Sequence, residues 1–140
     1  MVKNTDELQQ ALMDTPDLER FLKENEASFK NQNLTQVLND LLNKKNISKA
    51  ELAKKAGTSE VYLYQLMTGR RYPSRNRVLC ICLGVSASLE ETQSVLRQCG
   101  FATLYPVNRR DAIIIHGIVH GLDLYEINDE LFSANEETLY

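Results

Sequence analysis

The chain has 140 residues, of which 43% are hydrophobic and 25% charged, and its formal net charge is −3. This length and composition suit a compact globular domain with extensions. No apolar run approaches the roughly 20 residues of a membrane-spanning helix, and the polar, acidic N-terminus predicts that a secretory signal is absent. The 3 cysteines lie in apolar segments and predict reduced core thiols rather than disulfides. We therefore expect a soluble, cytoplasmic protein without a membrane partner.

Charge is distributed unevenly along the chain. Residues 1–33 carry 4 basic and 7 acidic side chains, residues 34–86 carry 9 and 3, and residues 87–140 carry 3 and 9. The middle segment, at net +6, thus lies between acidic flanks of net −3 and −6. Only this segment can attract a phosphate backbone. A solvated lysine-rich surface has the same charge, so a motif in the same segment is needed to indicate nucleic acid.

Capping residues and glycines divide the chain into eight or nine predicted helices. Thr5 opens the first helix, and Pro16 is expected at the first position of the second. The three isoleucines at 113–115 have the composition of a strand, but capping residues on both sides favour a buried helix. The predicted fold class is all-α. Later helices are expected to open at Asn33, Ser48, Ser59, Ser74, Ser88, Asn108 and Asp123, and glycines at 57, 69, 84, 100 and 121 to close most of them.

Residues 48–68 contain two short predicted helices joined by a tight turn. Ser48 and Glu51 are spaced as a capping box at the start of the first helix. The turn Ala56-Gly57-Thr58 has the length and glycine content that set two helices roughly perpendicular.

The second of these helices has an apolar and a polar face. Tyr62, Leu63 and Leu66 fall on one side and are predicted to pack inward. A helix with such an inner stripe and a polar outer stripe has the form that the major groove of DNA admits. The positions left facing outward are Glu60, Val61, Tyr64, Gln65 and Thr68.

This segment resembles the XRE, or phage-repressor, family of helix-turn-helix proteins. The likeness extends from about Leu34 to Val85, and it depends on the alanine-glycine turn, the inward hydrophobic residues and the exit at residues 69–74, all in register. It implies a repressor-like five-helix helix-turn-helix domain at residues 33–86. Residues 1–32 and 87–140 would then be N-terminal and C-terminal helical extensions.

The resemblance implies a sequence-specific transcriptional regulator of double-stranded DNA, with residues 59–68 as the recognition helix. We expect no enzymatic activity, cofactor or metal, because the sequence has no Gly-rich phosphate loop and no nucleophile paired with a base. A homodimer on half-sites about one helical turn apart is expected. Gln65 would pair with adenine and Glu60 with cytosine. The residues implied to approach base edges are Ser59, Glu60, Tyr64 and Gln65. Those implied to hold phosphates are Lys49, Arg70, Arg71, Ser74 and Arg75.

Other readings of the sequence remain open. The acidic helical extension favours a protein-interaction adaptor, including an antitoxin-like or inhibitor-like protein with a protein partner in the C-terminal region. A ligand sensor is a further alternative, although no convergent polar set indicates its pocket. His116 and His120 are spaced to share a metal ion, but packed or surface histidines are the better interpretation because no third ligand accompanies them.

Overall fold

The computed structural model describes residues 5–25 and 34–140. In these ranges the protein has nine helices and no strand, which confirms the predicted all-α class, including the helix at 113–115. None of the helices described is long and apolar enough to cross a membrane. The helices are α1 (Thr5–Asp14), α2 (Leu18–Glu24), α3 (Leu34–Lys45), α4 (Lys49–Lys55), α5 (Glu60–Met67), α6 (Arg75–Gly84), α7 (Leu89–Gln98), α8 (Arg109–Val119) and α9 (Leu124–Ser133).

The chain divides into two compact units, residues 1–33 and 34–140. In the first unit, α1 packs against α2. Helix α2 begins at Leu18, because the side chain of Asp17 accepts a hydrogen bond from the Arg20 N–H and makes Asp17 the N-cap. The expectation that Pro16 occupies the first helical position is therefore wrong. The predicted cap at Asn33 lies outside the described residues.

In the second unit, α3 to α7 surround a core of leucine, isoleucine, valine and cysteine side chains. Helix α4 packs against both α5 and α6, and α7 packs against α3 and α6. The predicted boundary at residue 87 assigns α7 to the C-terminal extension, and this boundary remains a prediction. The three cysteines are free and buried, as expected of core thiols, and burial raises the pKa of Cys82 to about 12.

Gly84 has a different role from the predicted one. It is the last residue of α6, and Ser86, with φ of 55°, takes the left-handed conformation beyond the helix end. A Cβ atom at Gly84 would lie 2.9 Å from Leu52 Cδ1 and 3.1 Å from the Ala56 backbone nitrogen. Gly84 thus permits the close approach of α6 to α4 rather than closing its own helix through a positive φ.

The last two helices, α8 and α9, pack against each other, and α8 also packs against α7 and α9 against α6. Ile114, Leu124, Ile127 and Leu131 are buried and belong to the same core as α3 to α7. The C-terminal region is therefore part of the compact unit that contains the two short helices and their turn.

An ion-pair cluster joins α3 to the start of α7. The ammonium groups of Lys44 and Lys45 lie 2.6 and 2.8 Å from the two carboxylate oxygens of Glu91. Glu91 also accepts a hydrogen bond from the Ser88 N–H, which completes the capping box of α7. These bonds, led by those from the two lysines, lower the pKa of Glu91 from 4.5 to about 2.

This cluster predicts how stability depends on pH. Because the pKa of Glu91 is lower in the folded than in the unfolded protein, the unfolded state binds more protons in acid. The contribution of Glu91 should be complete above pH 4.5 and should disappear as the pH falls towards about 2. Urea unfolding across this range should show a weaker pH dependence for Glu91→Gln than for the wild type. Glu90→Gln is the control, since the structure gives this exposed neighbour no ion pair, and equal slopes for the two variants would contradict the prediction.

Candidate nucleic-acid interface

The two short helices α4 and α5 are joined by the four residues 56–59, which include the C-cap of α4 and the N-cap of α5. The Ser48 hydroxyl accepts a hydrogen bond from the Glu51 N–H at 3.1 Å, whereas the Glu51 carboxylate pairs with Lys55 at 3.1 Å. The Ser48 cap is thus confirmed, but the return bond of the predicted capping box is not recorded. Gly57, with φ of 64°, provides the left-handed residue of the turn.

Helix α5 has the two faces that the sequence predicts. Ser59 is its N-cap and Thr68 its C-cap, so the predicted range 59–68 is confirmed with the caps included. Leu63 and Leu66 are fully buried, and Tyr62 is half-buried. On the other face, Glu60, Val61, Tyr64 and Thr68 are exposed, with Tyr64 at 51%, while Gln65 is partly covered.

Tyr62 forms a contact point for two arginines that follow α5 in the chain. The guanidinium carbons of Arg71 and Arg77 lie 5.5 and 5.4 Å from the centre of its ring. Burial raises the pKa of the Tyr62 phenol, so its ring remains neutral beside the two cations. Sequence reasoning counted Arg77 in the charge of the segment but gave it no role. An inward-facing tyrosine followed by one arginine in the next connecting segment and another in the next helix is the signal that indicates this contact.

Most of the predicted phosphate-binding residues lie near α5 and are exposed. Lys49 lies over the ring of Tyr64 at 5.9 Å, and Arg70 and Arg71 follow the end of α5. Ser74 is exposed and caps α6 by accepting a hydrogen bond from the Arg77 N–H.

Arg75 is bound within the protein. Its guanidinium nitrogens lie 3.4 and 3.2 Å from the two oxygens of Asp111 on α8, and they also donate to the carbonyls of Ala102 and Thr103. The Asp111 carboxylate accepts a further bond from the Tyr105 N–H at 3.0 Å. A phosphate contact by Arg75 remains a prediction, and it would require the guanidinium to exchange these bonds for new ones.

The C-terminal region contacts the turn between α4 and α5. The Tyr125 hydroxyl donates to the Lys54 carbonyl at 2.6 Å, at the end of α4. The ring of Tyr140 lies so close to Gly57 that a Cβ there would be 3.2 Å from Tyr140 Cε1. These contacts of Tyr125 and Tyr140 pack the C-terminal region against the turn. They leave the outward face of α5 uncovered at Tyr64, which is 51% exposed.

Two short helices joined by a glycine turn, the second with an outward polar face, define a helix-turn-helix domain. Residues 38–80 match the family model described as helix-turn-helix, a range that contains α4, the turn and α5. This match supports the XRE-like, DNA-binding helix-turn-helix that the resemblance implied for this segment. Members of this family are DNA-binding regulators rather than enzymes. No curated protein and no solved structure matches the chain.

Proposed function

We propose that the protein is a cytoplasmic transcriptional regulator that binds a specific duplex sequence by inserting α5 into the major groove. The observation that carries the proposal is the exposed polar face of α5, with cationic side chains beside its middle and after its last turn. Lys49 lies over Tyr64 at one side, and Arg70 and Arg71 follow the last turn. Side chains on such a face reach base edges while the flanking cations meet phosphates.

Each of the predicted contact residues except Arg75, which is bound within the protein, has a role in this proposal. Ser59 and Glu60 lie at the N-terminus of α5, and Tyr64 and Gln65 lie one turn further along. Glu60 is repelled by phosphates and gains only where it accepts a hydrogen bond from a cytosine. The exposed cations Lys49, Arg70 and Arg71 neutralise phosphates, and Ser74 presents the N-terminus of α6 to the backbone.

We further propose that the regulator acts as a homodimer. One module of this size buries little surface on DNA, and two modules related by a two-fold axis double the contact. Half-sites would then be separated by about 34–36 Å, one helical turn.

An adaptor function is the second candidate, because the C-terminal region is acidic and exposes large apolar side chains. Phe132 on α9 is 76% exposed and Val107, before α8, is 83% exposed. No affinity for any duplex at low salt, together with a tight protein partner, would favour the adaptor over the regulator.

A salt titration of duplex binding tests the electrostatic part of the proposal. The affinity of the wild type should fall steeply as salt increases, since each neutralised phosphate releases counterions. Arg71→Ala should reduce the slope of log K against log salt by about one. Arg97→Ala is a matched control, because this exposed arginine on α7 lies outside residues 38–80. Equal slopes for the wild type and Arg71→Ala would contradict a phosphate contact at Arg71.

A further inference from the structure

The side chains of Gln65 and Arg71 are joined in a fixed arrangement at the end of α5. The Arg71 Nε–H donates to Gln65 Oε1 at 2.9 Å, and the Arg71 backbone N–H donates to the Gln65 carbonyl at 3.2 Å. The guanidinium of Arg71 also lies over the ring of Tyr62. Three contacts therefore hold Arg71 in place, and Arg71 in turn holds the amide of Gln65.

This bond determines which atoms of Gln65 are available to a base. Because Oε1 already accepts a hydrogen bond from a cation, it keeps one lone pair, which lies beside a positive charge, whereas the Nε2 amide keeps both of its donors. The terminal nitrogens of Arg71 add further donors and a positive charge beside it. The pair thus presents donors to a ligand and offers little capacity as an acceptor.

Among the four bases, guanine best matches such a surface. Its major-groove edge has two acceptors, N7 and O6, whereas adenine has the N7 acceptor and the N6 amino donor. The bidentate pairing of glutamine with adenine requires Oε1 to accept from N6. In this protein the N6 amino group of adenine would meet Gln65 Oε1, which already accepts a hydrogen bond from Arg71. The N6 hydrogens would then point towards the positive charge of Arg71.

From this arrangement we infer that Gln65 reads guanine rather than adenine and that Arg71 is the positioning residue that sets this preference. The inference depends on the proposed binding of DNA. It replaces the adenine partner expected from the type of side chain alone. The charge of Arg71 remains available to a phosphate, because its Nε is the nitrogen that bonds to Gln65.

Selection of bound duplexes from a randomised pool tests the inference. Gln65→Ala identifies the base position that Gln65 reads, since preference is lost at that position alone. The wild type should favour guanine there. In Arg71→Met, which removes the donor and keeps an unbranched side chain, the preference for guanine over adenine should fall by roughly tenfold or reverse.

Arg70→Met is the matched control. It removes an equal charge from the neighbouring exposed arginine, for which the structure gives no side-chain bond to Gln65. Both variants should reduce the salt slope by about one, but only Arg71→Met should change the base preference. Far-ultraviolet circular dichroism of each variant verifies that the helices are intact.

The outcomes separate the inference from the proposed function. Adenine selected by the wild type, or guanine preference unchanged in Arg71→Met, would overturn the inference while leaving sequence-specific binding in place. A wild type that enriches no sequence at all would overturn both.

Discussion

Arg75→Ala is expected to destabilise the protein by about 3 kcal/mol, because it leaves a buried carboxylate without its counter-charge. The side chain of Asp111 is only 8% exposed and that of Arg75 is 24% exposed. Water can therefore replace few of the hydrogen bonds that the guanidinium donates to the carboxylate. The Tyr105 N–H would be the remaining recorded donor to this carboxylate. The guanidinium also binds two carbonyls of the segment before α8, which would lose their donor at the same time.

Urea unfolding of Arg75→Ala measures this effect, with Arg71→Ala as a control for the loss of a more exposed arginine. The double variant Arg75→Met/Asp111→Leu should recover much of the loss, since it removes the buried charge together with its partner. A change below about 0.5 kcal/mol in Arg75→Ala, the range of ordinary surface substitutions, would contradict the proposed importance of the pair.

The same variants test the predicted phosphate contact of Arg75. If its guanidinium remains on Asp111 in the complex, Arg75→Ala should leave the salt slope of duplex binding unchanged under conditions in which the variant is folded. A slope reduced by about one, as expected for Arg71→Ala, would show that Arg75 does reach a phosphate.

Gly117→Ala is expected to destabilise the protein by about 2 kcal/mol, although alanine is the better helix former by about 1 kcal/mol. A Cβ at this position would overlap Ile127 Cγ1 and would lie 2.6 Å from Ile127 Cδ1. Ile127 is fully buried, so it has no free space into which to move. The helices α8 and α9 would have to separate, and the contact of α9 with α6 would be disturbed.

A double-mutant cycle with Ile127→Ala identifies the overlap as the cause. In that background the obstructing atoms are gone, and Gly117→Ala should become neutral or stabilising by up to about 1 kcal/mol. Thermal or urea unfolding of the four proteins provides the measurement. If Gly117→Ala is equally destabilising with and without Ile127, the close approach of α8 and α9 is not the reason.

Local features of the fold were predictable from the sequence. Ser59, Ser74 and Ser88 cap the helices that the sequence assigns to them, because a hydroxyl bonds a backbone N–H only three residues away. The inward position of Leu63 and Leu66 follows from helical periodicity in the same way. Pro16 is the exception. The neighbouring Asp17 is an equally local capping residue, and because it is the N-cap, the helix begins at Leu18, after Pro16.

The contacts that shape the candidate interface were not predictable, because they join residues far apart in the chain or depend on side-chain geometry. Arg75 and Asp111 are separated by 36 positions, and periodicity relates only residues on one element. Gln65 and Arg71 are six positions apart, but their bond depends on how the chain turns after α5. Gly84 shows a third reason why the sequence was not sufficient. A glycine at a helix end is equally compatible with a positive φ and with the close approach of another helix.

The outward face of α5 is proposed to read a DNA sequence, and the affinity of Gln65→Ala for two duplexes tests this claim. One duplex is selected by the wild type and the other has a random sequence. Gln65→Ala should lose about 1–3 kcal/mol of binding free energy on the selected duplex and little on the random one. Equal losses on both duplexes, or a wild type that selects no sequence, would contradict the claim.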